Sequence, residues 1–153
     1  MLNQVSKLCD IQEMSQIAID NVRQLENEIL KAPQTSIPTS HILHAGVYAR
    51  TIMIPAGVVL TGALIKVATV LVISGKTVVY AGDSVKELEG YNVITASKNR
   101  KQAFVALTDT YITMVFATNS TSIEKAESEF TDEFDILSSR HSDAVNHVVV
   151  TGE

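Results

Sequence analysis

Histidine is the side chain best suited to proton transfer or metal ligation near neutral pH, and this sequence holds four: His41, His44, His141 and His147. The spacing His41-x-x-His44 would put both imidazoles on one face of a helix. The pair follows Pro33 and Pro38 in a hydroxyl-rich stretch, however, and no carboxylate lies near it in sequence to complete a metal site. A structural or solvent role is expected, and the same holds for His141 and His147 in the C-terminal tail. The single cysteine, Cys9, excludes an internal disulfide and a thiolate-rich metal site. A reactive thiol needs a lowered pKa and a partner base. Lys7 is near but no histidine is, so Cys9 reads as a buried or idle thiol.

Two charged clusters could serve recognition. Lys98, Arg100 and Lys101 fall in one polar turn, which would suit an anion or an acidic partner and otherwise reads as solvated. Glu124, Glu127, Glu129, Asp132, Glu133 and Asp135 form an acidic run, either a solvated helix face or a docking surface for a basic partner. The glycines from Gly57 to Gly90 sit at turns and form neither a phosphate-binding loop nor a dinucleotide fingerprint. The tyrosines and phenylalanines from Tyr48 to Phe116 are spread at strand spacing, as core or sheet packing requires.

The elements that must position these residues come from periodicity. Ile11, Met14, Ala18, Val22, Leu25 and Ile29 recur every three or four residues, one apolar stripe of an amphipathic helix. Asp10 with Glu13 resembles a capping box, which starts the helix near Ile11, and Pro33 stops it after Lys31. Such a helix is marginal alone. Either its own domain or the same helix of another subunit must cover the stripe. Residues 1–32 are therefore an N-terminal helical segment and 33–45 an extended linker.

From Gly46 the period becomes two. Short β-branched runs, separated by turn signals every eight to twelve residues, continue to Thr118 and contain no helical interlude. That pattern predicts an all-β sandwich or barrel over 46–119. Ser74-Gly75-Lys76 closes a strand, and Gly90 reads as a turn position between Glu87 and Ala96. Thr121 with Glu124 caps a short helix over 123–130, and the tail to Glu153 ends in Val148-Val149-Val150. Residues 120–153 are thus a C-terminal helix and tail. A terminal valine strand can fray, fold back or join a neighbour's sheet edge.

Composition agrees with a globular domain: 153 residues, 46% hydrophobic and 19% charged. The net charge of -5 argues against direct nucleic-acid binding. No apolar run approaches the roughly 18 residues that span a bilayer. Residues 1–10 lack a basic region followed by an apolar run, so no secretory signal is expected there. Asn119-Ser120-Thr121 then reads as a turn, not a glycan acceptor.

The run from Gly46 to Gly57, GVYARTIMIPAG, with Leu60-Thr61-Gly62 and Ile73-Ser74-Gly75 after it, resembles a family of small cupin-like proteins of bacteriophages and prophages. The likeness continues through Ala117-Thr118 and Ile123 to Glu127, and covers about residues 20–135. It implies an antiparallel jelly roll, or double-stranded β-helix. Metal-binding relatives carry two histidines on the strand after the Thr-Gly turn and a third candidate ligand on the last strand. The matching positions here are Ile65, Thr69 and Phe116. Two of these side chains offer no donor and the third offers one hydroxyl, so neither metal nor other cofactor is expected. A one-residue shift does not change this, because 55–75 and 102–120 contain no histidine.

The resemblance therefore implies a non-enzymatic virion protein, a capsid decoration or head-tail accessory subunit, made in the host bacterial cytoplasm. Its partners would be itself, as a dimer or trimer, and other particle proteins. Contacts would run through the helix stripe Ile11, Met14, Ala18, Val22, Leu25 and Ile29, and through Val148, Val149 and Val150. The alternative is a small-ligand module, acting against host defence, with a barrel pocket lined by Ile65, Thr69 and Phe116. A metal-dependent cupin enzyme is disfavoured.

Overall fold

The β-branched runs pair as nine strands in the computed structural model, which describes residues 10–82, 85–140 and 144–153. Cys9 and His141 lie outside the described residues. The strands are β1 (Asp10–Ile11), β2 (Thr39–His44), β3 (Val47–Ile54), β4 (Val59–Thr61), β5 (Thr69–Tyr80), β6 (Val85–Ala96), β7 (Ala103–Ala106), β8 (Thr110–Ala117) and β9 (Asn146–Val150). Two helices, α1 (Gln16–Ile29) and α2 (Ile123–Phe130), flank them. The strand order is β1-β6-β5-β8-β3-β2-β9, while β7 pairs with β5 and β4 with β7. Most pairs are antiparallel, but β1 runs parallel to β6 and β9 parallel to β2, so the sheet is mixed.

Ser74-Gly75-Lys76 and Gly90 do not end strands. β5 and β6 run straight through them, with Gly75 opposite Gly90. Before this point β5 pairs with β8, and after it with β7. The glycine pair is the corner at which one hairpin serves both halves of the fold. Gly75 has φ +137°, and a Cβ there would meet Asp109 O and Thr110 Oγ1 at 2.8 Å. Gly90 has φ +79° but open space around it. Gly75→Ala should therefore cost roughly 2–3 kcal/mol and Gly90→Ala about 1 kcal/mol. Urea unfolding checks this. Equal losses would mean that the close backbone approach is not what requires Gly75.

The expected linker is shorter than 33–45. Thr39–His44 is β2, paired with β3 across a two-residue turn in which Ala45 and Gly46 both have positive φ. That is the hairpin turn whose twist suits the flanking strands.

The N-terminal helix also starts later than expected. Asp10–Ile11 is a strand, and Ser15, not Asp10, caps α1 by accepting from the Ala18 amide at 3.2 Å. Ile11 thus belongs to the sheet core and Met14 precedes the helix. The three-four spacing continues through both without helical backbone, because β1 gains ladder hydrogen bonds from β6. Met14, Ala18, Ile19 and Val22 pack on Ala103, Leu64 and Tyr80. Ile11, Met14, Ala18 and Val22 are therefore buried within their own chain and closed to a second copy. Leu25 is partly exposed at 39% and Ile29 half-buried. The expected C-terminal helix is present as α2, capped by Ser122 rather than Thr121.

Alternation sorts the strands' side chains into two faces. Inward, Tyr48, Leu71, Ile73, Ile94, Ile112 and Phe116 form the main core. Outward, the register draws three rows across the broad part of the sheet. Thr95, Val70, Val115, Ala49, Ile42 and Val149 cross all six strands from β6 to β9. Two residues along come Val93, Val72, Thr113, Thr51, Ser40 and His147. A shorter row holds Tyr91, Ser74, Tyr111 and Met53.

Candidate functional site

The three barrel positions do not converge on one pocket. Ile65 bridges the backbone of Arg100, its amide donating to Arg100 O at 2.8 Å. Thr69 Oγ1 accepts from an Arg100 guanidinium nitrogen at 2.7 Å. Phe116 lies instead in an aromatic cluster, edge-on to Tyr48 and Phe130 with centroids 5.6 and 6.2 Å away. These positions do not fit a metal ion. The one hydroxyl is engaged by a guanidinium, whose charge repels a second cation. Among the described residues no three His, Cys, Asp or Glu side chains cluster as ligands.

Arg100 and Lys101 are the residues that sequence reasoning misplaced. Neither is solvated: Arg100 is 1% exposed and Lys101 0%. Arg100 donates to Gln102 Oε1, Thr69 Oγ1 and the carbonyls of Val67 and Ser97, all neutral. Burial pulls its pKa down to about 10. Lys101 Nζ reaches Glu26 of α1 at 3.0 Å, Glu133 at 3.1 Å and the Gly62 carbonyl at 2.9 Å. Arg23 of α1 also pairs with Glu133, at 2.8 Å. Lys101 therefore ties α1 and the segment after α2 to the strands. Nothing in the local sequence distinguishes these two cations from Lys98 beside them.

A cleft of about 560 Å³ opens elsewhere, between β2, β9, the start of α2 and the 138–140 turn. His41, Glu127, Arg140 and Asn146 line it with Val148 and Val150. The tail forms one wall by folding back along β2, with His41 opposite Val148 and Leu43 opposite Val150. Strand geometry sends His41 inward and His44 outward, so the His41-x-x-His44 pair is split between faces.

The cleft's polar groups form one network. Asn146 Nδ2 donates to Ser139 O at 2.9 Å, which aims Oδ1 at His41 Nε2, 2.7 Å away. Nε2 must then carry the proton, and Nδ1 accepts from the Tyr48 hydroxyl at 2.7 Å. Glu127, 3% exposed, accepts from Arg140 Nε at 2.8 Å on one oxygen. Its other oxygen accepts from Arg50 at 2.9 Å and from Ser139 Oγ at 2.8 Å. Arg50 also lies over the Phe130 ring.

The charges follow from these contacts. Burial holds the His41 pKa below its ordinary value against the opposing Asn146 bond, and the Arg50 charge adds to the lowering. Burial pushes the Tyr48 hydroxyl up to about 12. Burial also pushes Glu127 up, but hydrogen bonds from Ser139 and Arg140, with the charges of Arg50 and Arg140, outweigh it and hold the carboxyl low. At neutral pH the cleft thus holds a neutral imidazole, a neutral phenol and a carboxylate between two guanidinium groups. Both imidazole nitrogens and both carboxylate oxygens are engaged. The network fastens the tail to β2 and α2, and the exposed carboxylate of Glu124 stands at the cleft's rim outside it.

A neutral buried imidazole links stability to pH. The folded pKa of His41 lies below 6.5, so its contribution is complete above pH 6.5 and shrinks as pH falls below that. The urea midpoint should fall between pH 7.5 and 5.5, and His41→Gln should flatten that slope. An unchanged slope in the variant would remove His41 as the cause.

No protein-family model matches the sequence, and no curated protein does. Solved structures do match. A cupin superfamily protein from Desulfitobacterium hafniense superposes with TM-score 0.45 and 11% identity, over 57% of this chain and 83% of that one. KdgF from Halomonas sp. gives 0.47 and 16%, over 58% and 86%. The G106A variant of salicylate 1,2-dioxygenase from Pseudoaminobacter salicylatoxidans gives 0.50 and 15%, over 76% of this chain and 36% of the dioxygenase. The fold is all-β and cupin-like. At these identities the likeness is one of fold alone.

Proposed function

We propose that the protein is a non-enzymatic assembly protein on a cupin-like scaffold, a virion-associated subunit that decorates a phage head or serves at the head-tail junction. The observation that supports this best is the use made of the cleft's reactive groups. The imidazole nitrogens of His41, the Tyr48 hydroxyl and the Glu127 carboxylate are engaged in the network that holds the C-terminal segment, and Arg100 engages the Thr69 hydroxyl, the one donor among the three positions where the resemblance would put metal ligands. The placement in a phage particle rests on the sequence resemblance from Gly46 onward. The test is abundance in particles. Density-purified virions from a host carrying this gene should contain the chain in fixed ratio to the major capsid protein by quantitative mass spectrometry. Its absence from purified particles would overturn the reading.

The cleft favours one second reading, a small-ligand module that sits here rather than in the barrel interior. Its apolar wall of Val148, Val150 and Ile123 faces the polar Arg140 and Thr121. A ligand bound there would join β9 to α2 and raise the melting temperature. A metabolite screen without such a rise would reject it.

A further inference from the structure

From the outer sheet face we infer that two copies of this chain associate back to back, through the rows that run from β6 to β9. This deepens the assembly reading by naming its surface. None of the sixteen positions in those rows is Lys, Arg, Asp or Glu, in a chain that is 19% charged. None is buried, and Tyr91, Val93 and Tyr111 are 72%, 56% and 52% exposed. Charge returns just beyond the rows, where Lys76 on β5 stands opposite Glu89 on β6 and reaches Glu87 diagonally at 3.8 Å. The other half of the fold is covered differently, since α1 packs on Ala103 and Tyr80 there. The broad half has no such cover among the described residues.

A second copy is the occupant that this uncharged, self-matching patch fits. Each chain carries a net -5, so two copies repel wherever their charged surfaces meet. The uncharged rows let them approach without placing like charges opposite each other. A two-fold interface sets the same patch against itself, which an uncharged β-branched and tyrosine surface tolerates at any register. The area suffices. Six strands at about 4.8 Å spacing span ~24 Å between outer strand axes. With side chains, three rows cover on the order of 600 Å² per copy, so a dimer would bury about 1,200 Å², at the lower bound for a specific interface.

The test uses the full purified chain in sedimentation velocity from 1 to 100 µM. A dimer is expected, and it should persist or tighten at 0.5 M salt, because salt screens the net repulsion and breaks no interfacial ion pair. Val93→Lys and Tyr91→Lys should each weaken it at least tenfold, with melting curves confirming folded protein. Leu30→Lys, at the far end of α1, should leave it unchanged. A monomeric wild type, dissociation by salt, or a folded Val93→Lys that stays dimeric would each overturn the inference. So would dissociation by His147→Pro with none by Val93→Lys, which would assign the contact to the open edge of β9. Particle abundance is a separate readout: a dimer through these rows that is absent from virions leaves the surface standing and removes the virion role.

Discussion

Glu127→Ala should destabilise the protein by about 3–5 kcal/mol, because it leaves a buried arginine without its counter-charge. Arg50 is 8% exposed, and Glu127 is its carboxylate partner at 2.9 Å. The same change frees Arg140 and Ser139, which hold the 138–140 turn against α2. The loss is a large share of the roughly 5–15 kcal/mol that keeps a domain folded. Glu127→Gln keeps the shape and one acceptor and should cost less. Chemical denaturation at pH 7 measures both. If Glu127→Ala loses under about 1 kcal/mol, the cleft network contributes little to the fold. Limited proteolysis gives an independent sign, since residues 144–153 should become cleavable first in the variant.

The same carboxylate sets the acid limit. Its folded pKa lies below the unfolded value, so its contribution is complete above the ordinary carboxylate range and is lost as pH falls through the folded value. Glu133 behaves alike: burial pushes it up, but the Leu64 amide, Arg23 and Lys101 together hold it low. Acid should therefore release both the tail and α1, and the Glu127→Ala variant should show a shallower loss between pH 5 and 3.

The second large effect belongs to Arg100. Arg100→Ala should cost about 3–5 kcal/mol, since it opens a cavity and orphans the buried acceptors that the guanidinium now serves. Those acceptors are Thr69 Oγ1, Gln102 Oε1 and the carbonyls of Val67 and Ser97, drawn from both ends of the β5–β6 hairpin and the following loop. Arg100→Lys should also be costly, because an ammonium cannot reach four acceptors with a planar fork. Arg100→Met is the informative comparison. It removes a buried charge that has no ion-pair partner among the described residues and fills much of the space, so it should cost less than half of the alanine loss. Equal losses for Met and Ala would show that the hydrogen bonds, not the volume, hold this end of the sheet.

Much of the architecture was legible in the sequence. The alternation from Val47 to Ile54 is β3 to the residue, and Ile123–Phe130 is α2, because each pattern matches an element whose one face is buried. The errors came where local signals met long-range pairing. Gly75 reads as a strand end and Gly90 as a turn, yet each is tolerated inside a strand because it stands opposite the other at a corner. Ile11 and Met14 fit a helical stripe, yet the edge of β6 takes Asp10–Ile11 as a strand.

The candidate site was much less legible. His41 reads from the sequence as a structural or solvent histidine, but its partners Tyr48 and Asn146 lie 7 and 105 residues away in sequence. Arg100 and Lys101 are ordinary polar-turn residues by every local criterion, and so are Glu127 and Glu133 in an acidic run. What buries a charge is a set of acceptors or counter-charges gathered from other elements, which no local window contains. The sequence by itself determined the all-β class, the flanking helices and the absence of charge from alternate positions of the broad strands. Tertiary structure alone decided which charges are internal, that α1 is tied to its own domain by Lys101, and that the tail returns to β2. Periodicity is a property of neighbours along the chain, while ion pairs and sheet edges are properties of neighbours in space.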